Sequence, residues 1–308
     1  MITALSMNPS IDLTLIIDSL KQGGSHRVRR TRQDISGKAV NTVHALGNLG
    51  EPCRLLGFDF IENGKLLKDS LDRINVPYDL VAANGAIRTN IKIFEETAKR
   101  MTEINQEGTS VPEESVAALF DKVVNAETDV LILSGSLPQG VDKGIYCEII
   151  KETNVPVILD TDGLVLSKAM AAGPYIIKPN LSEMERTFGV SLPTQASQLS
   201  FGRILIERSH GLRAICLSLG EDGALMIGKD EAFFAPAMDI PVRGVQGAGD
   251  SMVAGLAVEL AKDSEVPLDT LFKSAVAAAA ASLILDGTLM CTREGFDEML
   301  DKVEIRRV

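Results

Sequence analysis

Short apolar runs alternate along the whole chain with longer segments whose apolar residues recur every three or four positions. Six runs are almost wholly apolar and are predicted to be strands: 2–7, 53–58, 129–135, 155–160, 175–180 and 213–220. Between them lie segments with helical spacing: 38–49, 112–124, 142–151 and 195–208. Because strands buried on both faces read as continuous apolar runs, the pattern predicts an α/β fold with a mostly parallel sheet flanked by helices.

Two segments do not follow this pattern. Residues 11–31 and 87–104 alternate apolar and polar side chains, and residues 95–99 form a turn-like polar stretch inside the second segment. This alternation predicts antiparallel hairpins that project from the main domain as a small β lid, formed by about 11–32 and 87–106. Because no linker, repeat or low-complexity tract divides the chain, 1–308 is predicted to be a single domain.

Composition and charge narrow the classes of partner. The formal net charge of −11 disfavours attraction to nucleic acid or to anionic membranes, so any phosphate site must be a local positive patch. The four cysteines have no metal-ligand spacing and are typical of free thiols in a reducing compartment. The most apolar run, 275–285, is too short for a membrane span. We therefore expect a cytoplasmic protein that contacts neither nucleic acid nor membrane.

The motif that indicates chemistry is GAGDSMVAG, which begins at Gly247 and leads into a helical pattern. Gly247, Ala248 and Gly249 leave their amides open to a ligand, and a helix N-terminus favours an anion. Asp250 follows at once. Phosphoryl transfer uses this pairing, because amides neutralise the moving group while an aspartate takes the proton of the acceptor hydroxyl. We expect the helix dipole to keep Asp250 ionised, as a weak base.

Other glycine motifs do not match this stretch. A dinucleotide-binding G-x-G-x-x-G requires glycine where Met252 stands, and a nucleophile elbow requires glycine where Val253 stands. The Walker-like spacing at 223–229 has Asp230 in place of the hydroxyl residue that holds magnesium, so we interpret it as a strand and turn. A simple structural helix start remains the alternative for GAGDSMVAG taken alone.

Seven further motifs accompany it in order along the chain: MNPSID, SGKAVN, RTNIKI, TEINQEG, SGSLPQGV, KPNLSE and SLGEDGAL. With these motifs the chain resembles the ribokinase-like, PfkB-type carbohydrate kinases over essentially its whole length. The resemblance implies a three-layer αβα sandwich with a mostly parallel central sheet and a small β-sheet lid over the sugar site. It also implies a kinase that uses ATP and Mg²⁺.

The resemblance assigns roles to individual residues. Asp250 is similar to the catalytic base of the family, and Gly247, Ala248 and Gly249 are similar to its anion hole. The sugar-binding positions that it implies are Asp12, Gly37, Lys38 and Asn41. The nucleotide-binding positions that it implies are Lys178, Asn180, Glu183, Ser218, Gly220 and Gly223. Of these, Asn180 and Glu183 resemble the pair that holds magnesium through water, although a strand end with a helix cap is the competing interpretation.

The predicted lid strand at 88–93 places Arg88, Asn90 and Lys92 on one face. We interpret this face as a cation clamp for a phosphate already present on the substrate, with Arg27 and Lys38 completing it. An exposed polar hairpin face is the alternative, and Arg27 also fits a solvated basic strand. The chain departs from the family pattern with Ser36 and Ala39 beside Lys38, and with Asp59 after the second strand, near the substrate cleft.

Together these features predict ATP-dependent phosphorylation of a ketohexose monophosphate to a 1,6-bisphosphate. Fructose 1-phosphate is the favoured acceptor, and tagatose 6-phosphate is the close alternative. Two alternatives are less favoured. A kinase of unphosphorylated sugars or nucleosides would need no phosphate clamp, and a catalytically silent sugar-phosphate sensor would need no base. Exposed lid strands favour a homodimer formed through the lid.

Overall fold

The computed structural model describes residues 1–287 and 289–308. The described residues form two sheets. The larger contains ten strands: β1 (Ile2–Ser6), β4 (Cys53–Glu62), β5 (Tyr78–Ala86), β8 (Val130–Ser134), β9 (Val157–Asp160), β10 (Ile176–Ile177), β11 (Ala214–Ser218), β12 (Ala224–Gly228), β13 (Ala232–Ala235) and β14 (Arg306–Arg307). The smaller contains four: β2 (Ser10–Ile17), β3 (Arg30–Ser36), β6 (Arg88–Glu95) and β7 (Arg100–Ile104).

The larger sheet is mostly parallel. Its strand order is β14-β13-β12-β11-β10-β9-β8-β1-β4-β5, with antiparallel pairing only from β11 outward to β14 in the described chain. All residues of β1, β8 and β9 are buried, which explains their continuous apolar sequences. All six strands predicted from apolar runs are present, and the predicted α/β class is confirmed.

Ten helices are described: α1 (Lys38–Asn48), α2 (Gly64–Asp72), α3 (Glu113–Val124), α4 (Ile145–Glu152), α5 (Gly163–Ala169), α6 (Leu181–Phe188), α7 (Gln195–Arg208), α8 (Ala248–Lys262), α9 (Leu268–Leu283) and α10 (Arg293–Leu300). The four helices predicted from periodicity correspond to α1, α3, α4 and α7. Two packed groups, α1-α8-α9-α10 and α3-α4-α5-α6, contact the larger sheet. This grouping is that of a layered α/β/α arrangement.

The closest helix pair, α8 with α9, is built on small residues. A Cβ on Gly255 of α8 would lie 2.5 Å from the main-chain oxygen of Ser274 on α9, so only glycine permits this approach. The alanine-rich sequence of α9, which is too short for a membrane span, is buried against α8. Within residues 1–287 and 289–308, no helix combines the length and the hydropathy needed to cross a membrane.

The smaller sheet has the order β3-β2-β6-β7. The two predicted hairpins are its antiparallel pairs, β2 with β3 and β6 with β7, and the turn predicted at 95–99 separates β6 from β7. A parallel pairing of β2 with β6 joins them and places Asp12 opposite Asn90. The first hairpin ends at Ser36, four residues beyond the predicted limit, and so delivers the chain directly to Gly37 and α1.

Candidate active site

The candidate site lies where chain segments leave the carboxyl ends of the parallel strands, the usual ligand crevice of open α/β sheets. Asp160 is the last residue of β9, and Lys178 follows β10 directly. Lys38 opens α1, and Asp250 lies in the first turn of α8. Four elements distant in sequence thus bring two carboxylates and two ammonium groups to one place.

Gly247 caps α8 in the left-handed conformation, with φ of 79°. This backbone conformation favours glycine, and a Cβ here would also displace the end of the Met290 side chain. The motif leads into a helix, which begins at Ala248, and its first amides have no partners within a helix. A Cβ on Gly249 would lie 3.3 Å from Nζ of Lys178, so this helix start opens toward a cation.

Asp250 is buried, and Nδ2 of Asn41 donates to its Oδ2 at 2.7 Å. Burial, followed by the nearby carboxylate of Asp160, raises the pKa of Asp250 to about 6, although Asn41, Lys38 and Lys178 oppose the shift. With this pKa Asp250 is mostly ionised at neutral pH, as expected, but it is not the weak base that the helix start alone would make it. Burial outweighs the dipole, and Asp250 is a stronger base than an exposed aspartate.

Asp160 is fully buried between two lysines. Its Oδ1 accepts from Nζ of Lys38 at 2.9 Å and lies 3.4 Å from Nζ of Lys178. Burial alone would favour the neutral acid, but the two ammonium groups outweigh it and hold the pKa of Asp160 below its usual value. Asp160 is therefore ionised, and its negative charge lies between the two ammonium groups of the site.

Lys38 also contacts Glu183, at 3.3 Å from Nζ to Oε1. Burial disfavours the ammonium, but the carboxylates of Asp160 and Glu183 outweigh it and raise the pKa of Lys38. The sequence predicts that Lys38 joins Arg88 and Arg27 in a phosphate clamp. In the structure its ammonium instead bridges Asp160 and Glu183, close enough to influence Asp250.

Asn180 and Glu183 form a complete capping box at the start of α6. Oδ1 of Asn180 accepts from the Glu183 amide at 2.7 Å, and Oε2 of Glu183 accepts from the Asn180 amide at 2.9 Å. The competing interpretation, a helix cap, thus describes one function of both residues. Oε1 of Glu183, which contacts Lys38, and Nδ2 of Asn180 lie outside the cap.

Part of the predicted sugar site, including Asp12 and Asn90, lies on the paired strands β2 and β6. Asp12 is buried and accepts from Ser10 and Asn90 at 3.0 Å and from Lys92 at 2.5 Å. Although burial opposes ionisation, Lys92 and Asn90, together with Ser36, hold the pKa of Asp12 below its usual value. The serine at 36, a departure from the family pattern, therefore supports Asp12.

Arg88 reaches this cluster from the same face of β6. Its Nη1 donates to the main-chain oxygen of Gln106 at 2.9 Å, while its Nε is buried without a hydrogen-bond partner in the described chain. Burial lowers the pKa of Arg88, and Asp12 partly offsets this. Oδ1 of Asn90 is likewise buried and unpartnered within the described residues. Unsatisfied buried groups of this kind are places where a ligand gains hydrogen bonds.

Arg27 and Asp59 lie apart from these contacts. Arg27 is exposed in the segment between β2 and β3 and has no hydrogen bond or ion pair in the described chain. Asp59, expected near the substrate cleft, forms an ion pair with Lys68 of α2 at 2.8 Å. Within the described residues, neither contacts the charged groups around Asp160 or those around Asp12.

A cavity of about 900 Å³ adjoins the start of α8. Its walls include Ala248 and Gly249 as well as all three residues predicted at the nucleotide site after β11, namely Ser218, Gly220 and Gly223. Asn180 lines it too, paired with Ser218 by an isolated β-bridge. The remaining walls are mainly apolar: Leu219, Ala235, Val242, Val245, Met252, Val276 and Leu283. A planar base fits such walls, and a phosphate chain fits the helix start beside them.

Sequence reasoning missed several residues of the site. Asp160 was recognised only as the end of a strand, although an acidic residue at the carboxyl end of a buried parallel strand is itself a signal. Asn8 was also missed: its Nδ2 donates to the oxygen of Glu107 at 2.9 Å and to Ser136 at 3.1 Å. These bonds tie MNPSID to TEINQEG and SGSLPQGV. The packing of Met290 against Gly247 had no signal in the sequence.

The ion pairs of Asp160 give a prediction about stability. Asp160→Asn leaves the buried ammonium of Lys178 without its partner, so we expect a loss of about 3 kcal/mol or more in the free energy of unfolding. Asp162→Asn is the matched control, because its pair with Arg186 is exposed and should contribute less than about 1 kcal/mol. Denaturant unfolding at pH 7 measures both. Equal losses would show that Asp160 and its lysines are not a stabilising unit.

The chain is similar to known proteins over almost its whole length. The model of the pfkB family carbohydrate kinases matches residues 5–293. The chain is 32% identical over 312 residues to 1-phosphofructokinase of Borreliella burgdorferi, covering 100% of this chain and 99% of the relative. It is 28% identical to 1-phosphofructokinase of Bacillus subtilis, covering 100% of both. Phosphofructokinase-2 from Escherichia coli shares the fold, with a TM-score of 0.90, 24% identity and 98% of each chain covered. The chain therefore belongs to the pfkB family of carbohydrate kinases.

Proposed function

We propose that this kinase transfers the γ-phosphoryl group of ATP to the free primary hydroxyl of fructose 1-phosphate. The observation that carries the proposal is the position of Asp250. It directly follows Ala248 and Gly249, which line the large cavity, its carboxylate accepts a hydrogen bond from Asn41, and its pKa is raised to about 6. A sensor that only binds sugar phosphate needs no such base. The names of the Borreliella and Bacillus relatives support the choice of acceptor.

In the proposed reaction the sugar hydroxyl attacks the γ-phosphorus. The O–H bond breaks and its proton passes to Asp250, a new O–P bond forms, and the bond from the γ-phosphorus to the bridging oxygen breaks as ADP leaves. The amides of Ala248 and Gly249 stabilise the equatorial oxygens, with Gly247 shaping the turn. Lys38 and Lys178 supply positive charge beside them.

ATP fits the large cavity with its base against the apolar walls. Ser218, Gly220 and Gly223 border that part, and Gly249 marks where the phosphates reach the start of α8. Because the pfkB family are carbohydrate kinases, the chain uses ATP, and kinases usually bind ATP together with a divalent metal. The identity of the metal as Mg²⁺ is part of our proposal.

The donor set fits a metal held through water. Within the described residues there is no cluster of three acidic, histidine or cysteine side chains that would hold an ion directly. Mg²⁺ keeps several waters when protein and phosphates share its coordination, so Glu183 and Asn180 are enough to hold its hydration shell. When bound there, the ion would neutralise charge on the β- and γ-phosphates.

The sugar end is proposed to rest on Asp12, Gly37 and Asn90, with the substrate phosphate at Arg88. Asp12 is ionised and fixed by Lys92, so it can accept from sugar hydroxyls. The buried Nε of Arg88 and Oδ1 of Asn90 have no hydrogen-bond partners in the described chain, so a substrate can bind to both. Arg27, exposed on a neighbouring segment, is the weaker candidate for a second contact with the phosphate.

The proposal is tested by following ADP release with fructose 1-phosphate, tagatose 6-phosphate and unphosphorylated fructose. We expect the highest kcat/KM with fructose 1-phosphate and no turnover when the divalent metal is chelated. A higher value with tagatose 6-phosphate would change the acceptor but keep the mechanism. A higher value with fructose would overturn the phosphosugar assignment. Binding without ADP release from any of them would indicate a sensor.

We also propose a homodimer formed through the smaller sheet. The face opposite Asp12 presents Leu13 and Leu15 of β2 beside Ile91 and Ile93 of β6, and all four are partly exposed. Sedimentation velocity should show a dimer, and Leu15→Glu should convert it to a monomer by placing a charge at this face. A monomeric wild-type protein would exclude this interface.

We place the protein in the cytoplasm, where ATP and sugar phosphates are available. All four cysteines, Cys53, Cys147, Cys216 and Cys291, are buried free thiols, which suits a reducing compartment. Fractionation of cells that express the chain tests this placement, and recovery in an oxidising compartment would contradict it.

Asp250→Asn should lower kcat by roughly 10²-fold or more, because it removes the base and keeps the shape of the side chain. In the wild type the base must be unprotonated, so kcat/KM should fall as the pH drops through about 6. Sugar phosphates also titrate near pH 6, and the residual activity of Asp250→Asn therefore serves as the control profile. Near-normal turnover in this variant would remove Asp250 from the mechanism.

Arg88→Ala should reduce kcat/KM for fructose 1-phosphate by roughly 10–100-fold, the effect of losing one charge-assisted contact with phosphate. The slow reaction with fructose should hardly change. Arg100→Ala is the matched control, because Arg100 lies on the same sheet but pairs with Glu95. An equal loss on both substrates would mean that Arg88 supports the sheet and does not bind the phosphate.

A further inference from the structure

The two oxygens of the Asp250 carboxylate have different surroundings. Oδ2 accepts the short hydrogen bond from Nδ2 of Asn41, at 2.7 Å. Oδ1 has no hydrogen bond from any other part of the described chain. A carboxylate held by one oxygen has its second oxygen directed to a fixed place, which a proton acceptor in a group-transfer reaction requires.

Asn41 is well placed to hold the carboxylate rigidly. It lies in the second turn of α1, its own amide donates to the oxygen of Gly37 at 2.9 Å, and its side chain is buried. The hydroxyl of the next residue, Thr42, lies 2.9 Å from the main-chain oxygen of Lys38, to which it donates within α1, and 3.3 Å from the main-chain oxygen of Asp250. Two neighbouring residues of α1 therefore contact Asp250 of α8. Asn41 contacts its carboxylate, and Thr42 contacts its main-chain oxygen.

The charges that face Asp250 come from three other places. Asp160 at the end of β9 favours the protonated acid, whereas Lys38 of α1 and Lys178 after β10 favour the carboxylate. Asn41 is the only one of these neighbours that touches the carboxylate through a described hydrogen bond. An amide donor favours the ionised form and does not depend on pH itself.

We propose that Asn41 is a positioning residue for phosphoryl transfer: its amide fixes Oδ2 of Asp250, so that Oδ1 takes the proton of the sugar hydroxyl. This inference rests on the proposed function. It differs from the role that the family resemblance implies for Asn41, a contact with the sugar itself. With Nδ2 engaged by Asp250, the side chain of Asn41 offers a sugar only its oxygen and its second amide hydrogen.

The test is an infrared titration of the Asp250 carboxyl group, assigned by difference against Asp250→Asn. The wild-type pKa is expected at about 6. Asn41→Leu keeps the approximate size of the side chain and removes the donor, so the pKa of Asp250 should rise by about one unit. This titration needs no substrate, and its outcome is independent of whether fructose 1-phosphate is the acceptor.

Kinetics then separate positioning from sugar binding. For Asn41→Leu we expect the acid limb of kcat/KM to move up with the pKa. The plateau kcat should fall about tenfold and the sugar KM should change by less than about threefold, because an unfixed base is misplaced in the transition state. The reverse split, a raised sugar KM with an unchanged pH profile, would establish Asn41 as a sugar ligand and overturn the proposal.

Thr42→Val is the matched control, since it removes the hydroxyl that lies 3.3 Å from the main-chain oxygen of Asp250 and leaves the carboxylate contact of Asn41 intact. It should leave the pKa of Asp250 unchanged. An equal shift in Thr42→Val and Asn41→Leu would show that only the packing of α1 on α8 matters. If Asn41→Leu fails to fold, Asn41→Ser, which is too short to reach Oδ2, gives the same titration; an unchanged pKa there would also overturn the proposal.

Discussion

The burial of one carboxylate, Asp160, organises the site. An ionised group with no exposed surface persists only with cations beside it, because desolvation otherwise drives it to the neutral acid. Lys38 and Lys178 meet that need, and so the start of α1 and the end of β10 must converge on the end of β9. The same convergence brings Glu183 to Lys38 and sets the field that Asp250 experiences.

A second buried pair orders the sugar end in the same way. Asp12 and Lys92 are both almost fully buried, and the parallel pairing of β2 with β6 holds them together. The chain has a formal net charge of −11, so the two phosphate sites that we propose need locally concentrated cations. Pairing those cations with buried carboxylates keeps them oriented while the surface stays acidic. Arg88 has no carboxylate partner of this kind in the described chain, and its buried Nε has no hydrogen-bond partner there.

Much of the fold could be predicted from sequence because strands buried on both faces are continuous apolar runs. The start of α8 could be predicted as well, since glycine and alanine before an apolar helical pattern are a local signal. The side-chain partners could not. Lys38 is 122 positions from Asp160, and nothing near Lys38 indicates whether its ammonium turns toward Arg88 or toward β9. The predicted strand at 175–180 is longer than β10, which ends at Ile177, because Pro179 two residues later lacks the amide hydrogen needed to continue the pairing.

Two opposing effects act on the pKa of Asp250, the helix dipole and burial, and their sizes decide its direction. A helix N-terminus stabilises a carboxylate by about 0.3–1 kcal/mol, and by about 2 kcal/mol in the most favourable sites. The pKa of Asp250 rises from 3.8 to about 6, which corresponds to about 3 kcal/mol in the opposite direction. Burial and the charge of Asp160 therefore exceed the dipole. A base with a pKa near 6 is still mostly ionised at neutral pH and binds a proton far better than an exposed aspartate, which is the compromise that general base catalysis favours.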